Sequence, residues 1–174
     1  MSVQSYPFQF VGIDSHTTDA LQKDTLIYQF ASSKSCHQYI VRIERYVHDL
    51  HCVKFLDATN DKSSGSFSYL SATYEPRTIF HTIFNIALDV LRNNRRASFL
   101  FIGAADNRDI IGKPTRRYRV YRLFLAEFDL DSIFEQSDYE AVSMSLLVNL
   151  SAMPTLKDRQ VFRSEVCNFA GIQY

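Results

Sequence analysis

The sequence predicts an α+β fold: an antiparallel sheet of about five strands with two helices packed on one face. Three observations predict it. The first third alternates apolar and polar residues with period 2, the signature of strands with one buried face. One long stretch, Pro76 to Asn93, repeats apolar residues at three- and four-residue spacing. "ASFLFIG" (97–103) is apolar on both faces and too short for a helix, as a central strand requires.

Each element follows in order. "YPFQFVG" alternates weakly, and "TLIYQFA" is short, β-branched and aromatic. "HQYIVRIERYV" sets Tyr39, Val41 and Ile43 on one side and Ile40, Arg42 and Glu44 on the other. A reversal near Asp49 leads into "HCVKFLDA", completing an antiparallel meander. "DATNDKSSGS" is a polar loop. In the helix that follows, Pro76 suits the first turn, where its missing N–H costs nothing. Ile79, Phe80, Ile83, Phe84, Ala87, Val90 and Leu91 form its apolar side, and Arg77, His81, Asn85, Asp89 and Arg92 fall largely opposite. Asn93 and Asn94 tolerate left-handed geometry and end it. After the central strand and the loop "AADNRDIIGKP", Thr115 is the N-cap of a second helix with Tyr121, Phe124, Leu125 and Phe128 as its stripe. A strand is the competing reading, but Arg122 breaks its apolar face. "AVSMSLLVNL" alternates as a strand does, with a short helix as the alternative. "RQVFRSEVCNF" fits neither pattern, so residues 130–174 leave their organisation open.

A length of 174 residues is the size of one domain, 1–174, able to bury a core without staples. Apolar residues at 46% and aromatics at 14%, with no Trp, exclude a disordered chain. Three scattered cysteines, Cys36, Cys52 and Cys167, favour free thiols over a disulfide framework. The N-terminus has no signal-peptide pattern, and no apolar run is long enough to span a bilayer. The expected location is the cytoplasm, with no membrane partner.

The net charge is zero, but its distribution is uneven. Arg92 to Arg122 holds nine Lys/Arg against two Asp. Leu123 to Glu140 holds six Asp/Glu (Glu127, Asp129, Asp131, Glu135, Asp138, Glu140) and no Lys/Arg. Within the basic block, Arg116, Arg117, Arg119 and Arg122 surround Tyr118 and Tyr121. On a helix such a stripe holds phosphates, with a tyrosine face for stacking. Its structural counterpart is pairing with the acidic block or with a second copy of the chain. The preceding loop adds Asp106, Asn107, Arg108 and Asp109, a carboxylate-plus-arginine constellation whose residues are equally at home as turn-formers. Gly112-Lys113-Pro114-Thr115 is not a phosphate-cradling loop: Asn107 stands where its first glycine belongs, and Pro114 separates Lys from Thr. "HDLHC" gathers His48, Asp49, His51 and Cys52 without metal-ligand spacing, and His81 with Cys36 or Cys52 has no recognised catalytic spacing. No cofactor or metal is expected.

"RTIFHTIFNIALDVL", "SFLFIG", a polar loop and "RRYRVYRLF" together resemble small bacterial families of unknown function, of Bacteroidota type. These have a "T-I-x-x-I" helix, a hydrophobic strand ending in Gly or Cys, an Asp-containing loop and an "R-x-R-x-Y/F" helix. The matching residues are Thr82, Ile83, Ile86, Phe101, Gly103, Asp106, Arg117, Arg119 and Tyr121, within residues 24–128. The resemblance implies an α+β fold and no particular activity.

The function expected from these features is a non-enzymatic cytoplasmic binding or assembly module that self-associates or takes a protein partner. The alternative is a nucleic-acid or nucleotide-binding protein, or a phosphodiester-cleaving one, using the arginines of 116–122 with Asp106 and Asp109.

Overall fold

In the computed structural model, which describes residues 4–17, 19–60, 75–105 and 109–170, the predicted meander is present. Strands β1 (Phe8–Asp14), β2 (Gln22–Ala31), β3 (Gln38–Tyr46) and β4 (Leu50–Asp57) pair antiparallel in sequence order. The β3–β4 reversal sits at His48 and Asp49, both with left-handed φ (59° and 57°). Helix α1 (Pro76–Asn93) crosses the sheet, so β5 (Ser98–Ile102) returns parallel to β4. Helix α2 (Arg116–Leu125) follows, then β6 (Phe134–Tyr139), β7 (Met144–Asn149) and helix α3 (Leu156–Phe169). The strand order is β1-β2-β3-β4-β5-β7-β6.

Among the described residues the sheet therefore has seven strands and is mixed, where about five antiparallel strands were expected. The unforeseen strand is β6, "FEQSDY", an edge strand too polar to read as one from its sequence. Helices α1 and α2 lie on one face over Tyr28, Tyr39, Val41, Ile43, Phe99 and Leu147. A third helix, α3, covers the opposite face and packs Phe162, Val166 and Cys167 on Leu100, Met144, Leu146 and Val148. Its 14 residues bury only those three side chains, too thin a stripe to reveal the helix by periodicity. Thr155 and Asp158 do supply a complete capping box at its start. Strand β7 is buried at all six positions because helices cover both of its faces.

The approach to β1 is stitched to α1. Tyr6 donates its N–H to Thr82 Oγ1 (2.8 Å) and its hydroxyl to Glu75, the residue preceding α1. Ser32 Oγ donates to the other Glu75 oxygen at 2.6 Å. Burial alone pushes the Glu75 carboxyl up, but hydrogen bonds from Ser32 and Tyr6, aided by Ser35 and the Lys34 charge, hold it below its ordinary value. A carboxylate depressed in the folded state contributes stability above its unfolded pKa and loses it as pH falls through the folded one. Ser32→Ala is expected to cost about 1 kcal/mol near neutrality and progressively less as pH falls through the folded-state value and the carboxyl takes up its proton. Urea melts along a descending pH series measure the difference, and a loss that stays constant throughout would contradict the assignment.

Candidate functional site

The loop leaving β5 and the start of α2 are locked by close backbone contact. Thr115 caps α2, its Oγ1 accepting from Tyr118 N at 3.2 Å and donating to Gly103 O at 2.9 Å. Thr115 N–H donates to Ser143 Oγ (2.9 Å), and Gly103 N–H to the Ser143 carbonyl (2.8 Å). Ser143 holds a left-handed conformation at φ 56° to receive both. A Cβ on Gly103 would lie 2.5 Å from Tyr118 N and 2.6 Å from Thr115 Oγ1. Only glycine lets β5 end this close to the helix. Asp109 Oδ1 accepts from Arg116 N–H at 2.8 Å, so the loop carboxylate that looked catalytic serves the helix terminus. Asp106 and Arg108 lie outside the described residues.

The four arginines of α2 separate into three kinds. Arg117 is buried, at 6% exposure, and interacts with the buried Tyr121 phenol. Arg122 reaches the acidic segment within the same chain: its Nε lies 3.3 Å from Asp138 Oδ2, and its Nη1 meets Glu140. Arg116 and Arg119 face solvent, and no ion pair among the described residues involves either side chain. Tyr118 is 1% exposed and Tyr121 is buried among Phe55, Phe80 and Phe101, so neither presents a stacking face. Among the described residues the Tyr118 hydroxyl finds no well-formed hydrogen bond; Ser145, the neighbouring hydroxyl that bears on it, donates its own proton to Asp138 at 2.6 Å. The expected phosphate-binding stripe thus keeps two outward arginines of four and no exposed tyrosine.

The acidic block is divided among several partners. Alternation along β6 sends Glu135 to the α3 face and Asp138 to the α2 face. Glu135 receives Arg159 (2.7 Å) and Arg163 of α3, while Asp138 receives Arg122 of α2. Glu127, beyond α2, meets Arg77 (2.9 Å) and His81 Nε2 (3.3 Å) on α1. His81 itself is buried beside Phe128 at a ring separation of 4.9 Å, not on the solvent face that its helical position predicted.

The thiol chemistry does not assemble. Cys52 faces α3 while His81 lies across the sheet, and burial pushes the Cys52 thiol up to about 12. Cys36 is exposed in the β2–β3 loop. In "HDLHC", His51 and Cys52 point to opposite faces and His48 occupies the turn. Among the described residues, no group of three metal-ligating side chains comes together. No described helix is long and apolar enough to cross a membrane.

His51, which lacks metal-ligand spacing in "HDLHC", and Arg45, which no sequence motif marks, line a cavity on the α1 face of the sheet with Tyr28 and Asp89. They come from β4, β3, β2 and α1, with no shared motif to signal the grouping. Comparison with known protein families, curated proteins and solved structures finds no match.

Three substitutions test the geometry. Gly103→Ala is expected to destabilise by on the order of 1–3 kcal/mol, because the clash is with backbone, and thermal melts measure it. Arg122→Ala is expected to cost less than about 1 kcal/mol, with the loss shrinking at high salt. Arg119→Ala should leave the melting curve in place. A larger effect at Arg119 than at Arg122 would reverse this assignment.

Proposed function

We propose that the chain is a non-enzymatic cytoplasmic assembly module that associates with a second copy of itself through strand β1. The single observation carrying this reading is the contrast between the two edges of the sheet. Edge β6 has its charges held by helices on both faces and carries acids along its length. Edge β1, "FQFVGID", has no Lys, Arg or Pro and leaves Phe10 (48%), Val11 (54%) and Ile13 (54%) exposed. An unpaired apolar edge is a template for another strand, and edges that stay single usually carry inward charges, lysines or prolines. A bulge at Val11 bends β1, and Asp14, at its end, is engaged by Arg42 at 3.2 Å. Two copies related by a two-fold axis would pair β1 with β1 antiparallel, as an isologous interface requires.

Opposed charge blocks on different copies give self-association little support, because Arg122, Glu127, Glu135, Asp138 and Glu140 are all engaged inside one chain. Nucleic-acid binding is left with Arg116 and Arg119 as outward groups on α2, a small footprint for a phosphate backbone.

Light scattering over a concentration series is expected to give a dimer mass for the wild type and a monomer mass for Val11→Lys with Ile13→Lys. Both positions are exposed, so the melting temperature of the isolated subunit should hardly move. A monomeric wild type, or a variant that still dimerises, refutes the β1 interface.

A further inference from the structure

The turn ahead of α2 carries two adjacent aliphatic side chains directed out of the protein. Ile111 is fully exposed and Ile110 is 64% exposed. Gly112, with a left-handed φ of 79°, shapes the turn, and the Lys113 N–H donates to the Ile110 carbonyl at 3.1 Å. Asp109 ties the turn to the start of α2 by accepting the Arg116 N–H. From there Arg116, Arg119 and Leu123 recur at three- and four-residue spacing and share the outward face of the helix, where Leu123 is 70% exposed. Single exposed aliphatics are ordinary on a protein surface, but neighbouring ones mark a contact site.

The charge beside these side chains is chiefly of one sign. Lys113, Arg116 and Arg119 are exposed, and no ion pair among the described residues involves any of the three side chains. The carboxylates that meet α2 are occupied: Asp109 is turned to the helix terminus, and Asp138 and Glu140 receive Arg122. This combination discriminates among partners. A single-stranded nucleic acid calls for flat aromatic faces, and Tyr118 and Tyr121 are buried. A small free anion has no use for two protruding isoleucines. Protein interfaces draw on aromatic and arginine anchors seated in pockets, whereas the apolar element here is a convex aliphatic tip. An anionic bilayer matches both parts, because its acyl boundary takes in aliphatic side chains and its phosphates lie level with the flanking cations.

We propose that the turn at 110–113 and the adjoining face of α2 dock on an anionic lipid surface. Ile110 and Ile111 enter the boundary between headgroups and acyl chains, and Lys113, Arg116 and Arg119 meet lipid phosphates. Docking of this kind needs no spanning helix, and none occurs among the described residues. Two isoleucines and three cations give a reversible, salt-sensitive attachment and not a permanent anchor. The surface belongs to one chain and does not rest on self-association through β1.

Co-sedimentation with vesicles of mixed phosphatidylserine and phosphatidylcholine, against phosphatidylcholine alone, tests the surface. The wild type should bind the mixed vesicles at least tenfold more tightly, since each cation near such a surface contributes about fivefold, and added salt should shrink the difference. Ile110→Ser with Ile111→Ser should weaken binding at least tenfold, as should Lys113→Glu with Arg119→Glu. All four side chains are exposed, so melting temperatures should hardly move. The chain has no Trp, so Ile111→Trp places a single reporter in the turn. Its emission should shift to the blue on mixed vesicles and be quenched by brominated acyl chains. No binding to mixed vesicles, full affinity in the double-serine variant, or an Ile111→Trp emission that vesicles leave unchanged overturns the proposal. Tighter binding to a single-stranded oligonucleotide than to the vesicles also overturns it. Light scattering reports the β1 interface separately, so either idea can fail alone.

Discussion

The packing of α2 depends on the close approach at Gly103. With no side chain there, the end of β5 lies against the first turn of α2, and Thr115 ties the two backbones together. Ser143, just ahead of β7, bonds both sides of the same junction, so a strand end, a helix start and a turn share one point. From that point the direction of α2 follows. Tyr118 and Tyr121 turn into the core, Arg117 is buried, and Arg122 arrives over β6. Moving this junction would disturb the helix, the aromatic packing of Phe80, Tyr121 and Phe124, and the ion pairs together.

The adjoining charge blocks acquire a structural meaning from this arrangement. Strand β6 has water on its outer edge, yet acids on its two faces bind helices on opposite sides of the sheet. Each such pair is weak where it is exposed. The Glu135 pairs with Arg159 and Arg163 are better sheltered, and they hold a helix whose apolar contact is small. Charge here makes up for a thin hydrophobic stripe, and it fixes which face of β6 each helix meets.

Much of the fold was legible in the sequence. The alternation of Tyr39, Val41 and Ile43, the span of α1 from Pro76 to Asn93, the central place of "SFLFI" and the Thr115 cap all follow from local periodicity and capping chemistry. What escaped was what local pattern does not encode. Strand β6 has polar residues at four of six positions and is a strand because β7 offers it an edge. Helix α3 shows its cap but hardly any stripe. The parallel β4–β5 pair is a consequence of the α1 crossover, not of either strand's residues. The arginine segment was legible as a helix but not as a site, because a run of four arginines does not say which one is buried and which one is engaged by acids. Conversely His51, Arg45 and Asp89 are separated widely in sequence, and only the register of β2, β3 and β4 beneath α1 gathers them.

The strand order β5-β7-β6 has a consequence for the growing chain. Strand β5 is apolar on both faces and is complete at Ile102, but its free edge is filled only by β7, which ends at Asn149. During synthesis, then, the most hydrophobic strand waits with an open edge for 47 further residues, and the face later covered by α3 waits longer still. The interval between those two points is the period in which this chain is most exposed to pairing with the wrong neighbour.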